Sequence, residues 1–245
     1  MQADLQGKVA VVTGGAVRVG KAITLALAEA GCNIFVHYGR SSAPAAQTRV
    51  EAERCGVEVE TYGADLSDAS AVLGVIPAVL NRFGRVDILV NNAAVFPNEG
   101  LTDTDIDSWE QQFAINLRAP FFLCQAFEKA LGDEAQGGIV NVLDARIFRP
   151  AGDHIAYRLT KSGLLTMTES LAQALAPRIR VNAVALGAIL PPPGEDEAAL
   201  DRLASARVPL RRSGSVDFVA ANVLHLLTQP FLTGVTIRLD GGEFL

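Results

Sequence analysis

The sequence is poor in the residues that form metal sites, disulfide frameworks and surfaces for nucleic acid. It has three cysteines, Cys32, Cys55 and Cys124, without a Cys-x-x-Cys pair or a metal-ligand spacing to any histidine. We therefore expect incidental thiols in a reducing compartment and no metal site. Acidic residues outnumber basic ones by 27 to 21 and no basic run occurs, so nucleic acid is not an expected partner.

Long apolar runs and targeting signals are also lacking. No stretch approaches the roughly 18 uninterrupted apolar residues of a membrane span, and the N-terminus has no basic region followed by a long apolar segment. We expect a cytoplasmic protein without a membrane partner. Apolar residues make up 49% of the 245 residues, which suffices for the core of one large domain over residues 1–245.

Short apolar, β-branched runs alternate with helical patterns along the chain. The helical segments show 3.6-residue spacing and end near Gly or Pro, at 20–30, 69–82 and 155–176. Alternation of this kind predicts an α/β fold with a doubly wound parallel sheet, and ligands then lie at the carboxyl ends of the strands. The seven predicted strands are 9–13, 34–38, 57–62, 86–91, 139–143, 179–184 and 235–239.

Tyr157 and Lys161 form a candidate catalytic pair. Residues four apart share one face of a helix, so the ammonium can sit beside the phenol. A nearby cation lowers the pKa of a phenol from its usual value of about 10, which suits proton transfer to a substrate atom that has received a hydride. Taken alone, the spacing also fits a surface lysine beside a half-buried tyrosine.

A glycine-rich turn follows the first predicted strand. Residues 13–20 read Thr-Gly-Gly-Ala-Val-Arg-Val-Gly and lead into a helix, a setting that suits a pyrophosphate. The second strand ends without the Asp or Glu that an NAD preference would require. Arg18, Arg40 and Ser41 are instead predicted to surround a 2′-phosphate, which indicates NADP(H). The alternative is two solvated arginines and a turn serine.

A run of three prolines, residues 191–193, precedes an acidic stretch that ends at Asp201 and has the composition of a short helix. We predict a substrate lid over about 188–212. A plain surface loop is the alternative.

These motifs together resemble the short-chain dehydrogenase/reductase family over nearly the whole chain. The resemblance implies a Rossmann-like fold with a single seven-stranded sheet flanked by helices, hydride transfer with a nicotinamide, and a homotetramer. It rests on the 13–20 turn, Asp65-Leu66, Asn91-Asn92-Ala93-Ala94, Asn116, Tyr157, Lys161 and Asp240-Gly241-Gly242.

Three departures from the common family pattern resemble the pteridine reductase branch, which includes the dihydromonapterin reductases. Arg18 replaces a glycine, the second strand ends in His-Tyr-x-Arg-Ser, and Asp144 replaces the usual catalytic serine. In that branch the arginine and an aromatic residue, here Phe96, contact the pterin.

The resemblance also implies a set of site residues. Asn116 would hold a water that resupplies the proton. The implied catalytic residues are Asn116, Asp144, Tyr157 and Lys161, and the implied substrate contacts are Arg18, Phe96, Asp144 and Tyr157. The cofactor contacts would be Gly14, Arg18, Val19, Gly20, His37, Tyr38, Arg40, Ser41, Asp65, Leu66, Asn91, Ala93, Tyr157, Lys161, Gly187 and Ile189.

Asp144 also points to the substrate by its chemistry. A ketone gathers negative charge on oxygen and needs hydrogen-bond donors, whereas an ionised carboxylate only accepts. If Asp144 is ionised, the substrate should present N–H groups or positive charge; if it is neutral, it can donate a proton. Both cases suit reduction of a C=N bond in a pterin-like ring, which Phe96 would stack against. A loop-packing role for Phe96 and a turn role for Asp144 are the alternatives.

The sequence therefore predicts an NADPH-dependent reductase that converts a dihydropterin-like substrate to the tetrahydro form. A reductase of ketones or 3-oxoacyl thioesters is the nearest alternative. A catalytically silent NADP-binding sensor or scaffold is an alternative of another class.

Overall fold

The computed structural model describes residues 4–132, 134–191 and 194–245. Seven parallel strands form one sheet in the order β3-β2-β1-β4-β5-β6-β7, which confirms the predicted doubly wound α/β fold. Each predicted strand is present, and its observed ends differ from the predicted ends by no more than two residues. The strands are β1 Val9–Val12, β2 Asn33–Tyr38, β3 Val59–Gly63, β4 Ile88–Asn91, β5 Gly137–Asp144, β6 Ile179–Leu186 and β7 Thr236–Leu239.

Helices cover both faces of the sheet. The predicted helices 20–30, 69–82 and 155–176 are found as α1 Arg18–Glu29, α3 Ala69–Phe83 and α6 Ile155–Ala174. A π-helical turn, Ala114–Arg118, lies between α4 and α5, and a 3₁₀ turn, Ala145–Phe148, follows β5. The other helices are α2 Ser42–Glu53, α4 Ile106–Phe113, α5 Ala119–Ala130, α7 Glu197–Arg207 and α8 Val216–Thr228.

The buried strands supply a core on each side of the sheet. Ala10 and Val12 of β1 pack with α1, α2 and α8, while Val9 and Val11 pack with α3 and α5. This is the alternation of side chains expected along a strand. The order of the strands reverses between β1 and β4, so the loops at their carboxyl ends part and leave room for a ligand.

The acidic stretch after the proline run forms the helix that its composition predicts, α7. Asp196 caps it by accepting a hydrogen bond from the Ala199 amide at 2.9 Å. Pro192 and Pro193 of the proline run lie outside the described residues, and a lid over 188–212 stays a prediction. Among the helices of the described residues, none has the length and apolar character to cross a bilayer.

Candidate active site

A cavity of about 720 Å³ opens at the carboxyl ends of the strands, where β1 and β4 diverge. It brings together most residues that the sequence assigned to cofactor, substrate or catalysis. Those in its wall are Gly14, Arg18, Val19, Gly20, His37, Arg40, Asp65, Leu66, Ala93, Phe96, Asp144, Tyr157, Lys161, Gly187 and Ile189.

The glycine turn forms a cradle at the start of α1. Gly14 has a φ of +62°, which favours glycine, and a Cβ at Gly20 would collide with the Gly14 carbonyl. Val17 occupies the N-cap position and makes no side-chain cap, and the first turn of α1 has no acidic residue. The first amides of the helix can therefore bind an anion, so this end of the cavity fits the pyrophosphate of a dinucleotide.

His37 holds this turn in place. Its Nδ1 accepts a hydrogen bond from the Gly14 amide at 3.3 Å, and its Nε2 donates to the Ala64 carbonyl at 3.0 Å. Burial lowers the pKa of the imidazole, which keeps the ring in the neutral form that both bonds require. His37 thus lines the cavity and also positions the backbone that would contact the cofactor.

Arg40 and Asp65 stand in the same part of the cavity wall as His37 and Ala64. The Asp65 carboxylate accepts bonds from the Ser67 amide and hydroxyl at 2.9 and 2.8 Å, and these bonds lower the pKa of Asp65. A guanidinium in this region suits the 2′-phosphate of NADP(H).

Three predicted cofactor contacts lie outside the cavity wall. Ser41 is the N-cap residue of α2, and the ring of Tyr38 packs over Gly63. Asn91 is buried in the sheet, where its Nδ2 donates to Asn141 Oδ1 at 2.8 Å. The next residue, Asn92, lines the cavity instead and donates to the Thr13 and Gly14 carbonyls at 2.8 and 3.1 Å.

Asp144 lies at the end of β5, next to Tyr157 in the first turn of α6. The Tyr157 hydroxyl donates to Asp144 Oδ2 at 3.2 Å, and Asp144 Oδ1 accepts the Arg146 amide at 2.8 Å. The Arg146 Nε lies 3.8 Å from the same carboxylate. Asp144 is therefore an acceptor at both of its oxygens.

Lys161 is buried beside this pair. Its Nζ donates to the Val142 carbonyl at 2.8 Å and lies 5.9 Å from the centroid of the Tyr157 ring. Burial raises the pKa of Tyr157 well above its usual range, and the Asp144 charge raises it further. The phenol therefore stays protonated in this structure, and the predicted action of Lys161 on it stays a prediction. Burial lowers the pKa of Lys161 itself to about 8.

Asn116 lies in the π-helical turn, buried and outside the cavity wall. Its Oδ1 accepts the Val95 amide at 2.9 Å, and its Nδ2 donates to the Val95 carbonyl at 3.0 Å. The same Nδ2 also contacts Thr160 Oγ1 at 3.3 Å. The side chain thus joins the loop after β4 to α6, and its predicted water-holding role remains a prediction.

Phe96 both packs and lines the cavity, so the two interpretations of this residue are compatible. Its ring centroid lies 4.6 Å from that of Tyr157 and 4.4 Å from that of His154. The Arg146 guanidinium stands 5.1 Å from the ring centroid, within the range of a cation–π contact. Phe96 is therefore held beside the Tyr157 ring.

Arg18 lies on the side of the cavity where Phe96 and Asp144 lie. Its Nη2 donates to the Pro191 carbonyl at 2.9 Å, and a smaller adjoining cavity is lined by Arg18, Phe96 and Asp144 but not by Arg40. Arg18 thus lines both cavities, and its predicted contacts with the substrate and with the 2′-phosphate stay predictions.

Sequence reasoning missed Arg146 and Glu243. Arg146 contacts both Asp144 and Phe96, and its place two residues after Asp144 was the available signal. Glu243 comes from the other end of the chain and lines the adjoining cavity together with Asp144. No local pattern links residues so distant in the sequence.

Residues 15–243 match a family model described as enoyl-(acyl carrier protein) reductase. The chain belongs to the short-chain dehydrogenase/reductase family, whose members are NAD(P)-dependent oxidoreductases.

The proteins to which it is similar carry names of two kinds, 3-oxoacyl-[acyl-carrier-protein] reductase and alternative dihydrofolate reductase. The chain is 32% identical over 242 residues, 97% of each chain, to a 3-oxoacyl-[acyl-carrier-protein] reductase of Synechocystis. It is similar in structure to FolM alternative dihydrofolate reductase 1 from Brucella canis complexed with NADP, at a TM-score of 0.93 and 33% identity, covering 98% of this chain and 95% of the other. A short-chain dehydrogenase from Burkholderia cenocepacia in complex with NADP gives a TM-score of 0.91 at 31% identity, covering 98% and 99%. The cofactor of both structures is the one that the sequence predicts.

Proposed function

We propose that this protein is an NADPH-dependent reductase of a C=N bond in a pterin-like heterocycle, converting a dihydropterin to a tetrahydropterin. The observation that carries the proposal is the hydrogen bond of 3.2 Å from the Tyr157 hydroxyl to Asp144. A carboxylate next to the proton donor favours a substrate that presents N–H groups or positive charge, and disfavours a developing alkoxide.

The cavity has the parts that NADPH requires. The uncapped start of α1 suits the pyrophosphate and Arg40 suits the 2′-phosphate. When bound, NADPH supplies the hydride. The similarity to an NADP complex of FolM supports the same cofactor here.

The residues around Asp144 would perform the proton transfer. Tyr157 stays protonated and donates its phenolic proton to the substrate nitrogen, while Asp144 accepts a bond from a neighbouring N–H of the ring. Lys161 supplies positive charge behind the phenol, which offsets the negative charge that the phenol acquires. Phe96 offers its face to the heterocycle, and Arg18 borders the same space.

Reduction of a 3-oxoacyl thioester or another ketone is a second candidate. The relative from Synechocystis, which is named a 3-oxoacyl-[acyl-carrier-protein] reductase, favours it. The acceptor character of Asp144 opposes it, because such a substrate needs a donor at its carbonyl oxygen. A silent sensor has no physical need for the buried pair of Tyr157 and Lys161.

NADPH oxidation measured with a panel of substrates tests these candidates. The panel contains dihydrobiopterin, dihydromonapterin, dihydrofolate, a cyclic imine, a quinone and an acetoacetyl thioester. We expect the dihydropterins to give the highest kcat/KM. Turnover of the thioester alone would refute the proposal, and tight NADPH binding without turnover of any substrate would favour the sensor.

The homotetramer remains a prediction, which light scattering of the purified protein tests.

A further inference from the structure

The smaller cavity, about 140 Å³, branches from the main one beside the reacting groups. Arg18, Phe96 and Asp144 line both cavities. Leu200 and Leu203 of α7 form one wall of the branch, and the C-terminal segment forms another with Glu243 and Phe244. A heterocycle bound in the main cavity beside Phe96 would have room for a substituent in this branch.

A turn after β7, held by several hydrogen bonds, places Glu243 in the wall of the smaller cavity. The Asp240 carboxylate accepts bonds from the Gly242 amide at 3.0 Å and from Arg238 Nη2 at 2.8 Å, and the Glu243 amide donates to the Asp240 carbonyl at 3.0 Å. Gly187 leaves room for the turn, because a Cβ there would lie 2.7 Å from Asp240 Cα. The same Cβ would lie 3.4 Å from Glu243 Oε2.

The charged side chains that line the smaller cavity differ in whether they have hydrogen-bond or ion-pair partners. Arg146 lies 3.8 Å from Asp144 and 3.7 Å from Asp153, and Arg18 donates to the Pro191 carbonyl. The Glu243 carboxyl forms no hydrogen bond within the described parts of the chain, and burial raises its pKa while Arg146 and Arg207 oppose the rise. The side chain is half-buried, so its oxygens are open to donors from a ligand that enters the branch.

We propose that Glu243 determines substrate specificity by accepting hydrogen bonds from hydroxyl groups on the substituent of the heterocycle, and that it disfavours substituents that end in carboxylates. This inference rests on the proposed function. The volume agrees with it, since a cavity of about 150 Å³ holds a molecule of about six carbon atoms. A short hydroxyalkyl chain has that size, whereas an aminobenzoyl-glutamate tail is several times larger and anionic.

The test compares Glu243→Ala and Glu243→Gln with the wild type on three dihydropterins. Dihydrobiopterin carries a hydroxyalkyl group, 6-methyl-7,8-dihydropterin carries no hydroxyl on its substituent, and dihydrofolate carries carboxylates. We expect Glu243→Ala to lower the ratio of kcat/KM for dihydrobiopterin to that for the 6-methyl compound by about tenfold, as loss of a hydrogen bond to a charged group implies. Glu243→Gln should lower this ratio less and raise kcat/KM for dihydrofolate relative to the 6-methyl compound.

The control is Glu29→Gln, at the exposed end of α1 remote from the cavity, which should leave all three ratios unchanged. Unchanged ratios in Glu243→Ala, or equal losses on all three substrates together with a lower Tm, would overturn the inference and indicate a structural role. If the wild type reduces none of the three but does reduce an acetoacetyl thioester, the proposed function itself fails. Turnover of the 6-methyl compound by the wild type thus separates the two failures.

Discussion

The Tyr157 hydroxyl donates its hydrogen bond to Asp144 Oδ2 across 3.2 Å. This contact joins the phenol to a carboxyl group that accepts at both oxygens, so Asp144 orients the phenol but adds no second hydrogen-bond donor to the site. In the same site, Lys161 contacts the carbonyl of Val142 and lies behind the phenol ring. We therefore expect the chemistry of the site to depend on Asp144 as much as on Tyr157.

Replacement of Tyr157 by Phe should abolish most turnover and leave cofactor binding intact. The change removes the only phenol of the cavity wall among the described residues, and general acid catalysis contributes a factor of about 10² to 10⁴. Steady-state NADPH oxidation measures the loss, and fluorescence titration measures the Kd for NADPH. Tyr62→Phe, a phenol of β3 outside the cavity, is the matched control. Full activity in Tyr157→Phe would disprove the role of the phenol.

Replacement of Asp144 by Ser should move the preference from C=N towards C=O substrates. A serine hydroxyl donates to a carbonyl oxygen, while the pterin would lose the acceptor for its N–H group. We expect kcat/KM for dihydrobiopterin to fall at least tenfold, as the loss of a bond to a charged group implies, and kcat/KM for an acetoacetyl thioester to rise. If pterin reduction is unaffected, the argument from Asp144 is wrong.

The pH dependence of activity should follow the loss of the positive charge of Lys161. Tyr157 stays protonated over the accessible range, whereas Lys161 loses its charge as the pH rises through about 8. We expect kcat/KM to fall above pH 8, and a decrease in kcat/KM that begins only near pH 10 would contradict this assignment.

The stability of the fold should change with pH in the opposite direction. The lysine keeps its proton to higher pH in the unfolded chain than in the folded one. The contribution of Lys161 to the free energy of unfolding therefore increases from pH 8 to about 10. Thermal melts over the same pH range measure it.

Replacement of Arg40 by Ala should weaken the preference for NADPH over NADH. The guanidinium lines the cavity and is proposed to bind the 2′-phosphate, and a bond to a charged group contributes about 1.5 to 3 kcal/mol. The KM for NADPH should therefore rise by at least tenfold while that for NADH changes little. Arg54→Ala, an exposed arginine just after α2, controls for the loss of a surface charge. Equal effects on both cofactors would refute the assignment.

The strands and the main helices could be predicted because their signals are local. The apolar runs around Val9–Val12 and Ile88–Asn91 are buried on both faces and carry little polar interruption. The proximity of Asp144 and Tyr157 followed from a strand end and the start of a helix. The resemblance to the family predicted most of the other residues that line the cavity.

Other features depend on the three-dimensional packing and left no local signal. Asn91 and Asn92 are adjacent and alike, yet the first points into the sheet and the second reaches the cavity. The raised pKa of Tyr157 comes from burial, which the spacing to Lys161 does not reveal. Glu243 lines the smaller cavity with Asp144 because the carboxyl ends of β5, β6 and β7 lie side by side in the sheet.

The bond from the Gly14 amide to His37 Nδ1 makes the cofactor end of the cavity sensitive to acid. A protonated imidazole carries hydrogen on both nitrogens, so Nδ1 would then face the amide as a second donor. Because burial lowers the pKa of His37, the native arrangement persists somewhat below the usual titration range and fails as the pH falls further. Acid should thus weaken the binding of a nucleotide at this turn, because the protonated ring no longer accepts the bond that holds the Gly14 amide.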